Sequence, residues 1–108
     1  MQIFFSLLDS PVFLYSPRTV EVAEKSSTTI NMTAEAFPEN IIYLWSRDGS
    51  PLETADSKQR IMAIGSILHI RNATREDSGV YHCVAENDEG QSKVAITLNV
   101  LCKQFHQF

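Results

Sequence analysis

The sequence has no helix-period segment of useful length and no apolar run near the ~20 residues that a membrane-spanning helix needs. It has no cluster of Lys and Arg. Nine basic residues are scattered among thirteen acidic ones, and the net charge of −4 leaves no footprint for nucleic acid or a charged membrane surface. The four glycines stand singly at turns and make no phosphate-binding loop. The three histidines, His69, His82 and His106, fall on separate elements without an i, i+4 partner or a Cys-x-x-Cys companion, which removes the zinc patterns. Cysteine is nearly absent too: only Cys83 and Cys102 are present. A single bridge is the simplest expectation for two thiols. However, Cys83 falls mid-strand on a core face and Cys102 follows the last strand, whereas a disulfide needs Cα atoms within about 7 Å. The pair is therefore expected to stay open. Ser78, Asp77 and His82 lie close in sequence, yet Asp77 has a turn role, His82 faces outward and no oxyanion nest accompanies them. No catalytic residue, cofactor or metal is expected.

What is present is short-range alternation. A chain of 108 residues holds one domain with one core. Pro11 and Pro17 bound a short extended piece, Val12 to Tyr15, and proline suits an edge strand or a strand entry. Thr19 to Glu24 alternates with Val20 and Val22 inward. Thr29 to Ala36 reads as one strand, with Ile30, Met32, Ala34 and Ala36 inward and Asn31, Thr33 and Glu35 outward. Ile41 to Trp45 is strongly β-prone, with Trp45, Tyr43 and Ile41 inward and Ile42 and Leu44 outward. Arg47-Asp48-Gly49-Ser50 is a hairpin signal. Arg60 to Ala63 and Ser66 to Arg71 are short strands meeting near Gly65, with Leu68 and Ile70 inward. A brief helical turn precedes Asp77. After Gly79 the period is two, with Tyr81, Cys83 and Ala85 inward and His82, Val84 and Glu86 outward. Asn87 to Gly90 closes a hairpin into a last strand, Ser92 to Val100. Seven to nine short strands with turn signals every 8–12 residues make an antiparallel sandwich.

With the residues placed, Trp45, Asp48-Gly49, Leu52, Leu68-x-Ile70 and Asp77-x-Gly79-x-Tyr81-x-Cys83-x-Ala85-x-Asn87-x-x-Gly90 resemble an immunoglobulin domain of the I-set type, over roughly residues 17–100. The resemblance implies an all-β fold, a two-sheet antiparallel immunoglobulin-like sandwich. It makes Met32, Trp45, Tyr81 and Cys83 the core hallmark and pairs Arg60 with Asp77 at the base. One position departs from the family pattern. The first cysteine of the family's inter-sheet disulfide is replaced by Met32, so the fold is expected to lack that bridge and Cys83 to be a small buried hydrophobe. Residues 1–16 are expected to be an N-terminal extension or fragment edge, and residues 101–108 a tail or linker. Met1 to Leu8 lacks the positive start and small-residue cleavage site of a complete signal peptide.

Two acceptor patterns for N-linked sugar, Asn31-Met32-Thr33 and Asn72-Ala73-Thr74, place asparagine on an outward strand position and in a turn. Ile42, Leu44 and Val84 make an outward apolar stripe on the sheet carrying Trp45, with Ala95 beside it, and are the candidate partner surface. The resemblance points to a non-catalytic protein-recognition module, homophilic or heterophilic. It would sit among sibling immunoglobulin domains in the extracellular part of a cell-surface adhesion or receptor protein, with no nucleic-acid partner and no small-molecule substrate. The alternative is a cytoplasmic structural module of a giant muscle-type protein, which the missing bridge favours because cytosolic thiols stay reduced.

Overall fold

The computed structural model describes residues 9–14, 18–37, 39–52 and 59–102. Its strands are β1 (Asp9–Phe13), β2 (Arg18–Ala23), β3 (Thr28–Asn31), β4 (Ala34–Phe37), β5 (Ile42–Arg47), β6 (Ser50–Pro51), β7 (Ile61–Ile64), β8 (Ile67–Ile70), β9 (Gly79–Asn87) and β10 (Gly90–Leu101). The one helical element among the described residues is a single 3-10 turn, Arg75–Asp77. One layer is a five-stranded sheet in the order β2-β10-β9-β5-β6. The other is the three-stranded sheet β3-β8-β7, with a β1-β4 ribbon. The fold is the all-β immunoglobulin-like sandwich expected, and both cysteines are free.

Alternation fixes which side of each strand is buried. Along β9 the pattern places Tyr81, Cys83 and Ala85 inside, and along β10 it places Val94, Ile96 and Leu98 inside. Tyr81, Cys83, Val94, Ile96 and Leu98 meet Ile30, Met32, Leu68 and Ile70 from the opposite layer, with Trp45 and Val22, in one hydrophobic cluster. Each fully buried large side chain contributes about 1.5–3 kcal/mol. Val20, Tyr43 and Leu52 pack half-buried against the cluster. The hairpin at Asp48-Gly49 has φ of 49° and 81°, the paired left-handed conformation that matches strand twist.

The structure differs from the sequence reading in three places. Thr29 to Ala36 is not one strand but β3 and β4, interrupted at Met32-Thr33. The ladder to β8 ends with the Met32 amide donating to the Ser66 carbonyl at 2.8 Å, and the Ala34 amide then donates to the Tyr43 hydroxyl at 3.0 Å. A side-chain acceptor takes the place of a strand carbonyl there, and pairing passes to β1. Second, the sheet begins before residue 17. β1 pairs with β4, the Asn87 side chain donates to the Asp9 carbonyl at 2.7 Å and the Ser92 hydroxyl donates to the Pro11 carbonyl. Residues 9–13 are thus part of the sandwich and not an extension. Third, β2 runs parallel to β10, in the register Thr19↔Thr97 to Ala23↔Leu101, whereas every other ladder is antiparallel. Tyr15 and Pro17 of the first extended piece, and the tail beyond Cys102, lie outside the described residues.

Candidate functional site

The centre of the molecule is built around an indole. Trp45 on β5 pairs in register with Cys83 on β9. Its Nε1 donates to the Gly65 carbonyl at 2.9 Å, in the β7–β8 turn, so the indole itself ties the two layers together. Met32 and Cys83 are both fully buried in the same cluster. Burial pushes the Cys83 thiol up to about 12, which makes it unreactive at neutral pH.

The base of the sandwich is polar and tightly partnered. Asp77, only 2% exposed, accepts from Arg60 Nη1 at 2.8 Å and Nη2 at 3.0 Å, and its carboxylate also accepts the Thr74 amide at 2.8 Å. Burial acts to raise the pKa of this carboxyl, but the Arg60 and Thr74 hydrogen bonds outweigh it and hold the group below the usual carboxylate range. The Tyr81 hydroxyl donates to the Asp77 carbonyl at 2.6 Å, closing the corner that leads into β9. Arg47 was not singled out from the sequence. Its guanidinium donates to the Ser78 carbonyl at 3.0 Å and to the Glu76 carbonyl, and lies 5.3 Å from the centre of the Tyr81 ring. A charged residue two positions after a core tryptophan, ahead of a turn, is the only signal that marked it.

The trio Ser78, Asp77 and His82 is not a nucleophilic arrangement. The Ser78 hydroxyl accepts the Val100 amide at 2.9 Å and Asp77 is held by Arg60. Among the described residues no three His, Cys, Asp or Glu side chains converge as metal ligands. Cys102 is exposed, with Arg75 Nη2 donating to its sulfur at 2.7 Å.

The outer face of the five-stranded sheet carries the candidate surface. Ile42 is 60% exposed and Leu44 53%. Leu44 pairs with Val84, and Val84 with Lys93; Ile42 pairs with Glu86, and His82 with Ala95. Ile42, Leu44, Val84 and Ala95 therefore share one patch, rimmed by Glu86, Lys93 and His82. An apolar centre within a polar rim is the arrangement that protein interfaces use. Val84 and Ala95 are half-buried, less open than the two β5 residues. Val80, exposed on the same face of β9, extends the apolar surface. It shares the parity of Val84, which the sequence pattern already contained.

The other predicted residues lie elsewhere. Asn31 is exposed on the outer face of β3, and Asn72 is exposed in the loop after β8 at φ 49°. Sequence reasoning missed further exposed apolar residues: Val12 on β1, Leu14 just after it, Phe37 on β4, Ile64 on β7 and Leu101 at the end of β10.

This geometry, two β layers about a buried tryptophan with a tyrosine corner at the base, defines an immunoglobulin-type sandwich. Residues 10–87 match the immunoglobulin domain family, and the chain belongs to it. It is 35% identical over 86 residues to hemicentin-1 of Homo sapiens, covering 80% of this chain and 2% of that protein. It is 32% identical over 107 residues to neural cell adhesion molecule 1 of Rattus norvegicus, covering 88% and 12%. It is 30% identical over 105 residues to the muscle M-line assembly protein unc-89 of Caenorhabditis elegans, covering 91% and 1%. Among solved structures it resembles the titin M10–obscurin-like 1 immunoglobulin complex, with a TM-score of 0.73 and 26% identity over 90% of this chain and 99% of that one. The chain thus spans a small fraction of these curated relatives, which include both adhesion and muscle proteins.

Proposed function

We propose that this domain is a non-catalytic protein-recognition module of a cell-surface adhesion or receptor protein, exposed outside the cell among sibling immunoglobulin domains. The observation that carries the reading is the apolar patch of Ile42, Leu44, Val84 and Ala95 inside its rim of Glu86, Lys93 and His82. A folded protein surface of matching shape and opposite rim charges is the occupant such a patch fits. Likeness to neural cell adhesion molecule 1 supports the extracellular setting, as do the two exposed sequon asparagines, Asn31 and Asn72.

Leu44→Arg tests the proposal. The chain, displayed as a tetramer, is assayed for binding to cells and, as a free chain, for self-association by sedimentation. The variant is expected to lose binding by at least about tenfold, since burying an unpaired charge at the centre of an interface costs several kcal/mol. Binding and sedimentation equal to wild type contradict the patch as the interface.

A second reading has its own observation. Cys83 shares the core cluster with Met32 and is free, forming no bridge, which suits a reducing compartment, and unc-89 is a muscle protein. In that setting the domain is an intracellular structural module. Labelling of the full-length protein on intact cells by a membrane-impermeant amine reagent separates the two readings: labelling supports the first, and protection until the cells are permeabilised supports the second.

A further inference from the structure

The outer face of the three-stranded sheet carries an apolar row that the patch on the opposite sheet leaves unexplained. Asn31 pairs with Ile67, and Ile67 pairs with Ile64. The three residues therefore lie in one line across β3, β8 and β7, on the side opposite the buried Ile30, Leu68 and Ala63. Ile64 is 53% exposed and Ile67 half-buried. Residues opposed in such ladders hold their Cβ atoms about 4.5–5.5 Å apart, so a group attached at Asn31 reaches both isoleucines. The Asn31 carboxamide oxygen accepts the Thr33 hydroxyl at 2.6 Å and the Ser66 hydroxyl at 3.2 Å. Its nitrogen, the atom that bears a glycan, donates no hydrogen bond among the described residues.

We infer that Asn31 is N-glycosylated and that its glycan covers Ile67 and Ile64, closing the three-stranded face and leaving the five-stranded face bare for protein. In the transfer step Asn31 Nδ2 bonds to the anomeric carbon of a lipid-pyrophosphate-linked oligosaccharide. The anomeric C–O bond breaks, the lipid pyrophosphate leaves with the electron pair, and one amide proton passes to a base of the transferase. The attached sugar presents its C–H faces to the isoleucines and its hydroxyls to water. Asn72 differs. It lies in a polar loop, its backbone amide donating to the Ser27 hydroxyl at 3.2 Å and its backbone carbonyl accepting from Arg60 at 3.1 Å, and a glycan there has no ladder-paired apolar row to cover among the described residues. The inference rests on the extracellular reading above.

The experiment secretes the full chain from mammalian cells behind a cleaved leader and measures its mass before and after peptide N-glycosidase F. A mass loss that disappears in Asn31→Gln, and in the near-isosteric Thr33→Val, is expected. Asn31→Gln is also expected to bind the apolar dye ANS several-fold more than wild type. Asn72→Gln should bind it as wild type does, and Ile64→Ser added to Asn31→Gln should return the signal to baseline. Absence of an Asn31-dependent mass loss overturns the inference. A mass loss with no change in dye binding overturns the covering role. A glycan on the secreted chain but none on the full-length protein from its own cells overturns the extracellular reading and, with it, this inference for the native protein.

Discussion

At Met32 the chain keeps a fully buried core side chain, and the consequence is energetic. Met32 and Cys83 are both fully buried in the same hydrophobic cluster, and a flexible thioether suits such a core. Met32→Cys is expected to form a disulfide with Cys83 in oxidising medium. Closing a loop of about 50 residues stabilises by about 2–5 kcal/mol, read as a higher melting temperature under non-reducing conditions that collapses with reductant. Tyr81→Phe leaves the buried Asp77 carbonyl without its donor and is expected to cost about 1–3 kcal/mol in urea unfolding. Asp77 gives a pH signature. Its pKa is lowered in the folded chain, so the stability it contributes is complete above the ordinary carboxylate value of about 3.9 and is lost as pH falls through the lower folded value. Arg60→Ala and Asp77→Asn should both flatten this acid limb; an unchanged limb would show that the pair plays no part.

Among elements, the strands were legible wherever alternation was clean. Tyr81-x-Cys83-x-Ala85 and Val94-x-Ile96-x-Leu98 could be read directly because each side chain has one face to occupy. The Asp48-Gly49 turn was legible because its conformation has few residue solutions. Gly49→Ala, at φ 81°, is expected to cost about 1 kcal/mol without altering the core, measured by thermal unfolding. The break between β3 and β4 was not legible. Burial alternates straight through Met32 and Thr33, and only the Tyr43 hydroxyl on the Ala34 amide, a contact nine residues away, ends the ladder. The start of β1 was hidden for a similar reason. Its partners, β4, Asn87 and Ser92, are distant in sequence, and Pro11 reads as a boundary although it is buried. Of the candidate patch, Ile42 and Leu44 followed from parity on β5. Val84, with His82 and Glu86 of the rim, followed from parity on β9; that they stand beside Leu44, Ile42 and Lys93 depended on cross-strand register, which one strand read alone does not contain.

Across the whole molecule, the two layers have different outer faces. The five-stranded sheet presents Ile42, Leu44 and Val84 within a charged rim, and the three-stranded sheet presents Ile64 and Ile67 beside Asn31. The immunoglobulin scaffold is shared with adhesion and muscle proteins alike, so function on this fold is set by which face is open and what is open to it. The most direct measurement of that asymmetry is a matched pair of charge insertions, Leu44→Arg on one face and Ile64→Arg on the other, compared as tetramers for cell binding at equal folded concentration. The account predicts that Leu44→Arg abolishes binding while Ile64→Arg retains it. Equal binding by both variants, or loss confined to Ile64→Arg, would contradict it.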